Sequence, residues 1–276
     1  MRVPLGTLFY WTFAMSQAFA IPSAPVLQIE GGVATLTLNR PAQRNRLENG
    51  DLKALLAHID TVNQAADVRV LVLTANTTGQ PRPVFCAGYD IGGFDEPGHG
   101  STFFEEIPDA LAAMRPVTIC ALNGSVYGGA TDVVLACDLR IGLQGIEWRM
   151  PATALGLHYY PGGLQRYVAR LGLSGAKRAF LTARPFTAEI LQRMGCFEAL
   201  VGPDDFDATV RQLVGEVAAL APLAVQATKQ SINEIAAGQP DLAAMRAREV
   251  LTSTSLDFAE GRQAFQDKRQ PRFTGR

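Results

Sequence analysis

Phe85-Cys86-Ala87-Gly88-Tyr89-Asp90 and Asn123-Gly124-Ser125-Val126-Tyr127-Gly128-Gly129-Ala130-Thr131-Asp132 are the two stretches on which the fold turns. Each follows an apolar run with the character of a buried strand: residues 70–73 with Val84-Phe85 before the first, and 117–122 before the second. Each then turns on glycine into a segment of helical character. Taken singly, each is a tight strand–helix connection and nothing more. Taken together, two such turns can aim two backbone N–H groups at one point, the geometry that holds an oxygen while it gains negative charge. Gly128-Gly129 suits this because neither residue has a Cβ to keep a ligand away from the backbone. A helix opening there adds the positive end of its dipole.

Working outward, residues 26–30 and 33–39 alternate about Gly31-Gly32, which predicts a hairpin. Leu52, Leu55, Leu56, Ile59 and Val62 mark one face of a helix over 51–67. A strand is expected over 68–75, a polar loop over 77–83, a helix over 101–114, a strand over 117–122 and a short apolar helix over 128–137. Short strands follow at 139–143 and 148–150. This alternation predicts an α/β sheet with helices packed on it. Beyond Pro161 the pattern is helical at 162–171, 174–182, 187–193, 206–219, 223–237 and 242–256. Pro222 sits where a first helical turn tolerates it. The expected organisation is an extension over 1–25, a core over 26–205 and a helical region over 206–276 without a sheet of its own. A chain ending in such helices commonly packs them on a neighbouring subunit.

The 276 residues are 47% hydrophobic and 18% charged, enough to bury a substantial core. A net charge of −1 provides no long-range attraction to nucleic acid or to an anionic membrane. Lysine occurs only at 53, 177, 229 and 268, the other basic residues being arginine, whose planar fork suits phosphate. Cys86, Cys120, Cys137 and Cys196 lack C-x-x-C spacing and read as buried free thiols of a reducing compartment. No His, Cys and carboxylate group has metal-ligand spacing, and no G-x-G-x-x-G occurs. His58 and His99 read as solvated. Arg2, the apolar run 5–15 and Ala18-Phe19-Ala20 have the parts of a signal peptide, whereas Pro4 and Gly6 interrupt it and Met15 would serve as an ordinary start. A cytoplasmic protein with an extended or misassigned start is expected, export being the alternative.

With these pieces in order, the chain resembles the crotonase (enoyl-CoA hydratase/isomerase) family from about residue 26 to 276. The resemblance is carried by Leu38-Asn39-Arg40-Pro41 with Arg44-Asn45, the two glycine stretches, Leu155-Gly156, residues 162–166 and 186–195, and the tail from Glu260 to Phe273. It implies a spiral core of ββα units, a C-terminal helical trimerisation region, homotrimers or dimers of trimers, and acyl-CoA substrates. No cofactor is implied beyond the coenzyme A of the substrate itself. Carried residue by residue, the N–H groups of Tyr89 and Gly129 become the donors that hold a thioester oxygen as an enolate forms. Arg44, Arg46, Leu47, Ala87 and Asp90 fall along the CoA path. Arg46 stands where the family usually has alanine, and either meets a CoA phosphate or faces solvent.

Two departures bear on the reaction. Hydratases of the family use two glutamates, and this chain has Asp132 and Ala152 at those positions. Alanine cannot move a proton, and aspartate is a methylene short. Asp132 is either a surviving base or a carboxylate that complements a helix dipole. Residues 155–161, Leu-Gly-Leu-His-Tyr-Tyr-Pro, together with residues 124–130 and the tail 268–271, are similar to the methylmalonyl-CoA decarboxylase branch, which has a histidine in the place of Tyr89, and this implies that Tyr159 lies near an acyl carboxylate. His158 is either a proton donor or a packed or surface side chain. The expectation is an acyl-CoA lyase working through a stabilised enolate, by decarboxylation or atypical hydration. The alternative is an acyl-CoA-binding protein with little turnover.

Overall fold

The computed structural model describes residues 24–90, 92 and 103–276. The expected signal-like segment lies outside them apart from its last residues, as do His99 and the start of the expected helix at 101. Strands β1 (Val26–Glu30) and β2 (Val33–Leu38) form the predicted antiparallel hairpin, with Val26 opposite Thr37. From β2 onward every neighbour in this sheet is parallel: β3 (Val70–Ala75), β5 (Val117–Leu122), β7 (Leu139–Leu143) and β10 (Ala199–Val201), in the order β1-β2-β3-β5-β7-β10. The second sheet holds β4 (Val84–Cys86), β6 (Ser125–Tyr127), β8 (Glu147–Arg149) and β9 (Phe186–Thr187), with only β9 antiparallel. Successive strands thus divide between the sheets, β3 to one and β4 to the other, then β5 and β6, then β7 and β8. Each pair is followed by a helix: α2 (Glu106–Ala112), α3 (Ala130–Ala136) and α4 (Pro161–Thr182).

Period-two side chains explain why β3 and β5, covered on both faces, are almost wholly apolar. Leu71, Leu73, Cys120 and Leu122 face the main core with Phe85, Trp148 and Phe186. Val70, Val72, Val117, Ile119 and Ile141 face the other way and form a second core with Phe206. Two helices cover that face, α6 (Pro203–Ala218) and α7 (Pro222–Ala236), so the helices after residue 205 begin by completing the sheet. Val225 of α7 joins them, and Lys229 reaches Asp138 at 2.7 Å.

Several expectations change in detail. The helix before β3 is α1 (Asn49–Gln64), started by Glu48, whose N–H the Asp51 carboxylate accepts at 2.9 Å. Helix α2 begins only at Glu106, after a turn at Phe103-Phe104-Glu105. The segment after Pro161 is one helix broken at Gly172, where φ is +69°. Strands β6, β9 and β10 are too short to give a periodic signal. The helix expected over 242–256 is α8 (Leu242–Ser253), and a further, unexpected helix follows, α9 (Leu256–Asp267), capped by Ser255, whose Oγ accepts from Phe258 N at 3.0 Å. Helix α5 (Ala188–Arg193) completes the set. His58 is half-buried, its Nε2 3.1 Å from the Pro25 carbonyl, and not solvated as expected. All four cysteines are buried and free. Among the described residues no single helix is long and apolar enough to cross a membrane, and no cluster of three His, Cys, Asp or Glu has metal-binding geometry.

Candidate active site

The two glycine turns meet backbone to backbone. Gly88 has φ of +104°, and a Cβ there would lie 3.0 Å from the Tyr127 carbonyl oxygen and 3.7 Å from Gly128 Cα. Gly128 has φ of +58° and gives its N–H to the Arg149 carbonyl at 2.9 Å. A deeper crossing brings them together. A Cβ on Gly124 would lie 2.6 Å from Phe85 N, and Ser125 N donates to the Pro83 carbonyl at 2.9 Å, so β6 runs hard against β4. Below Gly128, the Tyr167 and Thr131 hydroxyls are 2.5 Å apart, and Thr131 donates to the Gly128 carbonyl at 2.5 Å. This buried pair fixes the turn at the head of α3.

The Asn39-Arg40-Pro41 and Arg44-Asn45 motif has a local structural task. Arg44 and Asn45 both take left-handed backbone conformations, with φ of 53° and 54°. The buried Asn45 side chain is the reason this is stable: Oδ1 accepts the Arg40 N–H at 2.8 Å, and Nδ2 donates to the carbonyls of Asn76 and Val84. The chain leaving this turn lies beside the first glycine stretch. Ala87 N donates to Arg44 O at 2.9 Å, Leu47 N to Gly88 O at 2.9 Å, and Asp90 N to Leu47 O at 2.8 Å. Arg44, Leu47, Ala87, Tyr89 and Asp90 are therefore neighbours. Arg46 is exposed and pairs with Glu48 at 2.9 Å and Asp90 at 3.3 Å. Its hydrogen bond to Glu48, then the charge of Asp90, raises its already high pKa.

Asp132 lies on α3 with a fully buried carboxylate. Arg166 of α4 clamps it through Nε to Oδ1 at 2.9 Å and Nη2 to Oδ2 at 2.7 Å. The Tyr160 hydroxyl donates to Oδ2 at 2.5 Å, and the Tyr159 hydroxyl donates to Tyr160 at 3.0 Å. The free arm of Arg166 reaches Asp109 of α2 at 2.6 Å. Burial opposes the charge on Arg166, but the hydrogen bonds and charge of Asp132 outweigh it and raise its pKa. Burial, then the Asp132 charge, holds both phenols above their ordinary range, so they remain donors. A carboxylate with both oxygens taken by a guanidinium and one also by a phenol is poorly placed to accept a substrate proton.

Tyr159 is buried, its ring 4.2 Å from that of Tyr160 and 5.3 Å from Phe180. Both tyrosines fold back onto Gly163, where a Cβ would sit 2.3 Å from Tyr159 Cε1. Ala152 is buried and His158 is exposed. Phe104 packs beside Gly129 and the Tyr89 and Tyr160 rings, and Tyr160 joins Asp132 to Tyr159, while His158 stays exposed. Arg166, Tyr160 and Phe104 belong to the same cluster. For Arg166 a signal existed: an aspartate inside the apolar run Ala130–Ala136 requires a cationic partner if it is buried. Phe104 gave none.

Two mixed sheets linked by ββα units, with the Gly88 turn packed against the Gly128-Gly129 turn that opens α3, define a crotonase-like fold. The enoyl-CoA hydratase/isomerase pattern matches residues 28–276, and the chain belongs to that family. The chain is 31% identical over 249 residues to 2,3-dehydroadipyl-CoA hydratase of Escherichia coli, covering 88% of this chain and 96% of that one. It is 30% identical over 213 residues to short-chain-enoyl-CoA hydratase of Clostridium acetobutylicum, covering 75% and 80%. Among solved structures, the enoyl-CoA hydratase of Bacillus anthracis superposes with a TM-score of 0.81 at 26% identity, over 91% of this chain and 99% of that one.

Proposed function

We propose that this protein acts on an acyl-CoA thioester through an oxyanion-stabilised enolate, as a lyase that decarboxylates a carboxyl-bearing acyl group. In this reading the Tyr89 and Gly129 N–H groups hold the thioester oxygen, and each such donor contributes about 3 kcal/mol to the transition state. The bond to the carboxylate carbon breaks, its electron pair enters the enolate, and carbon dioxide leaves. The enolate carbon then takes a proton from water. The observation that carries the choice of decarboxylation over hydration is the engagement of Asp132 by Arg166 and Tyr160, beside an alanine at 152. Hydration needs a base and an acid on either side of a water. Loss of carbon dioxide needs neither. Tyr159 acts in this reading through Tyr160, whose hydroxyl it donates to.

The same reading has the coenzyme A of the substrate as the only cofactor and a homotrimer or dimer of trimers as the assembly. Supporting the assembly, Leu242, Val250, Leu251, Leu256 and Phe265 on α8 and α9 are each more than half exposed.

A panel of malonyl-type and enoyl-type CoA esters incubated with the protein and followed by mass spectrometry tests the proposal. Loss of carbon dioxide from the malonyl-type esters is expected. Gain of water by the enoyl esters alone would overturn decarboxylation in favour of hydration. Binding without either change would favour the acyl-CoA-binding alternative.

A further inference from the structure

Phe104 leans on both donor residues. A Cβ built on Gly129 would fall 2.6 Å from Phe104 Cε1 and 2.7 Å from Cζ, so the ring occupies the space that any other residue at 129 would fill. The Tyr89 and Phe104 ring centroids are 5.4 Å apart, and those of Phe104 and Tyr160 are 6.5 Å apart. These rings are held in place. The Tyr89 hydroxyl donates to Asn49 of α1, and the Tyr160 hydroxyl is held by Asp132. Phe104 is 5% exposed, in the turn that leads into α2.

We infer that Phe104, wedged between the Tyr89 and Tyr160 rings, closes the acyl end of the site and restricts it to short acyl groups. This rests on the proposed acyl-CoA reading. An oxygen accepting from Gly129 N–H lies about 3 Å from that nitrogen. The acyl carbons a few bonds further on then fall within reach of a ring already in contact with Gly129. Burial between the Tyr89 and Tyr160 rings restrains that ring. A pocket lined this way admits a few carbons and rejects each further methylene by about tenfold or more.

The test is binding of free CoA and of acetyl-, butyryl-, hexanoyl- and decanoyl-CoA to the full chain, measured by calorimetry, for the natural sequence, Phe104→Leu and Phe104→Ala. Acetyl- and butyryl-CoA are expected to bind at least as well as free CoA, and hexanoyl-CoA, two methylenes longer, about a hundredfold or more weaker than butyryl-CoA. Phe104→Leu keeps an apolar side chain in the core and is expected to raise hexanoyl-CoA affinity roughly tenfold relative to acetyl-CoA. Phe104→Ala, if it folds, extends the recovery to decanoyl-CoA. Equal affinity of the natural protein for acetyl- and decanoyl-CoA overturns the inference, as does rejection of hexanoyl-CoA that Phe104→Leu leaves unrelieved. Failure to bind free CoA and every ester alike overturns the acyl-CoA reading itself.

Discussion

Replacing Arg166 with glutamine should expose how strongly the site depends on one buried ion pair. The Asp132 carboxylate has no solvent exposure, and Arg166 is 15% exposed. Two of the three hydrogen bonds that Asp132 accepts from side chains come from that guanidinium, and the third comes from Tyr160. Removing the cation leaves a buried charge with one phenol as partner, a change that costs about 3–5 kcal/mol in comparable cases. For a chain of this size each kcal/mol moves the melting temperature by about 2–4 °C, so a fall of about 6–20 °C is expected. Urea unfolding of Arg166→Gln, Asp132→Asn and the double variant measures it. The two single effects should not add. Removing the charge with Asp132→Asn in the Arg166→Gln background should recover about 1–3 kcal/mol, because the orphaned charge is then gone. A loss below about 1 kcal/mol for Arg166→Gln, or strict additivity, would refute the claim that the pair is mutually dependent.

Gly124→Ala should prevent folding or cost more than about 3 kcal/mol, because its Cβ meets backbone atoms of Pro83, Val84 and Phe85 at 2.6–2.8 Å. Gly50→Ala, in the first turn of α1 with open space around its Cβ, should not lower stability, and melting of the two variants side by side checks both. Burial pushes the Cys86 thiol up to about 12, and burial also raises those of Cys120 and Cys196. Since the thiolate is the reactive form, an alkylating or disulfide reagent at pH 8 should leave the native protein unlabelled and modify all four cysteines in urea; labelling within minutes without urea would contradict this.

Much of the fold was legible because local patterns and tertiary needs agree. The hairpin at Gly31-Gly32, the one-sided face of α1 and the doubly apolar strands at 70–75 and 117–122 each carry their structure in a few consecutive residues. Elements of two or three residues such as β9 and β10 exist only because a neighbouring strand supplies their hydrogen bonds, and no local pattern reports that.

The site divides along the same line. Sequence alone marked where backbone could approach closely, through the glycines at 88, 124, 128 and 129, and it determined that alanine and no second carboxylate follows Pro151. Only the tertiary structure decided what Asp132 does. The reading from sequence left it either a base or a helix-dipole carboxylate, and the packing of α4 on α3 supplies a third role, the anchor for Arg166 and Tyr160. Likewise, Tyr159 and Tyr160 are adjacent in the chain, yet Tyr159 stacks into the core and Tyr160 reaches Asp132 because α4 starts with glycine at 162 and 163 and leaves room for both rings. A buried charge takes its chemistry from partners distant in sequence, Arg166 being thirty-four residues away, and that separation is closed by the fold alone.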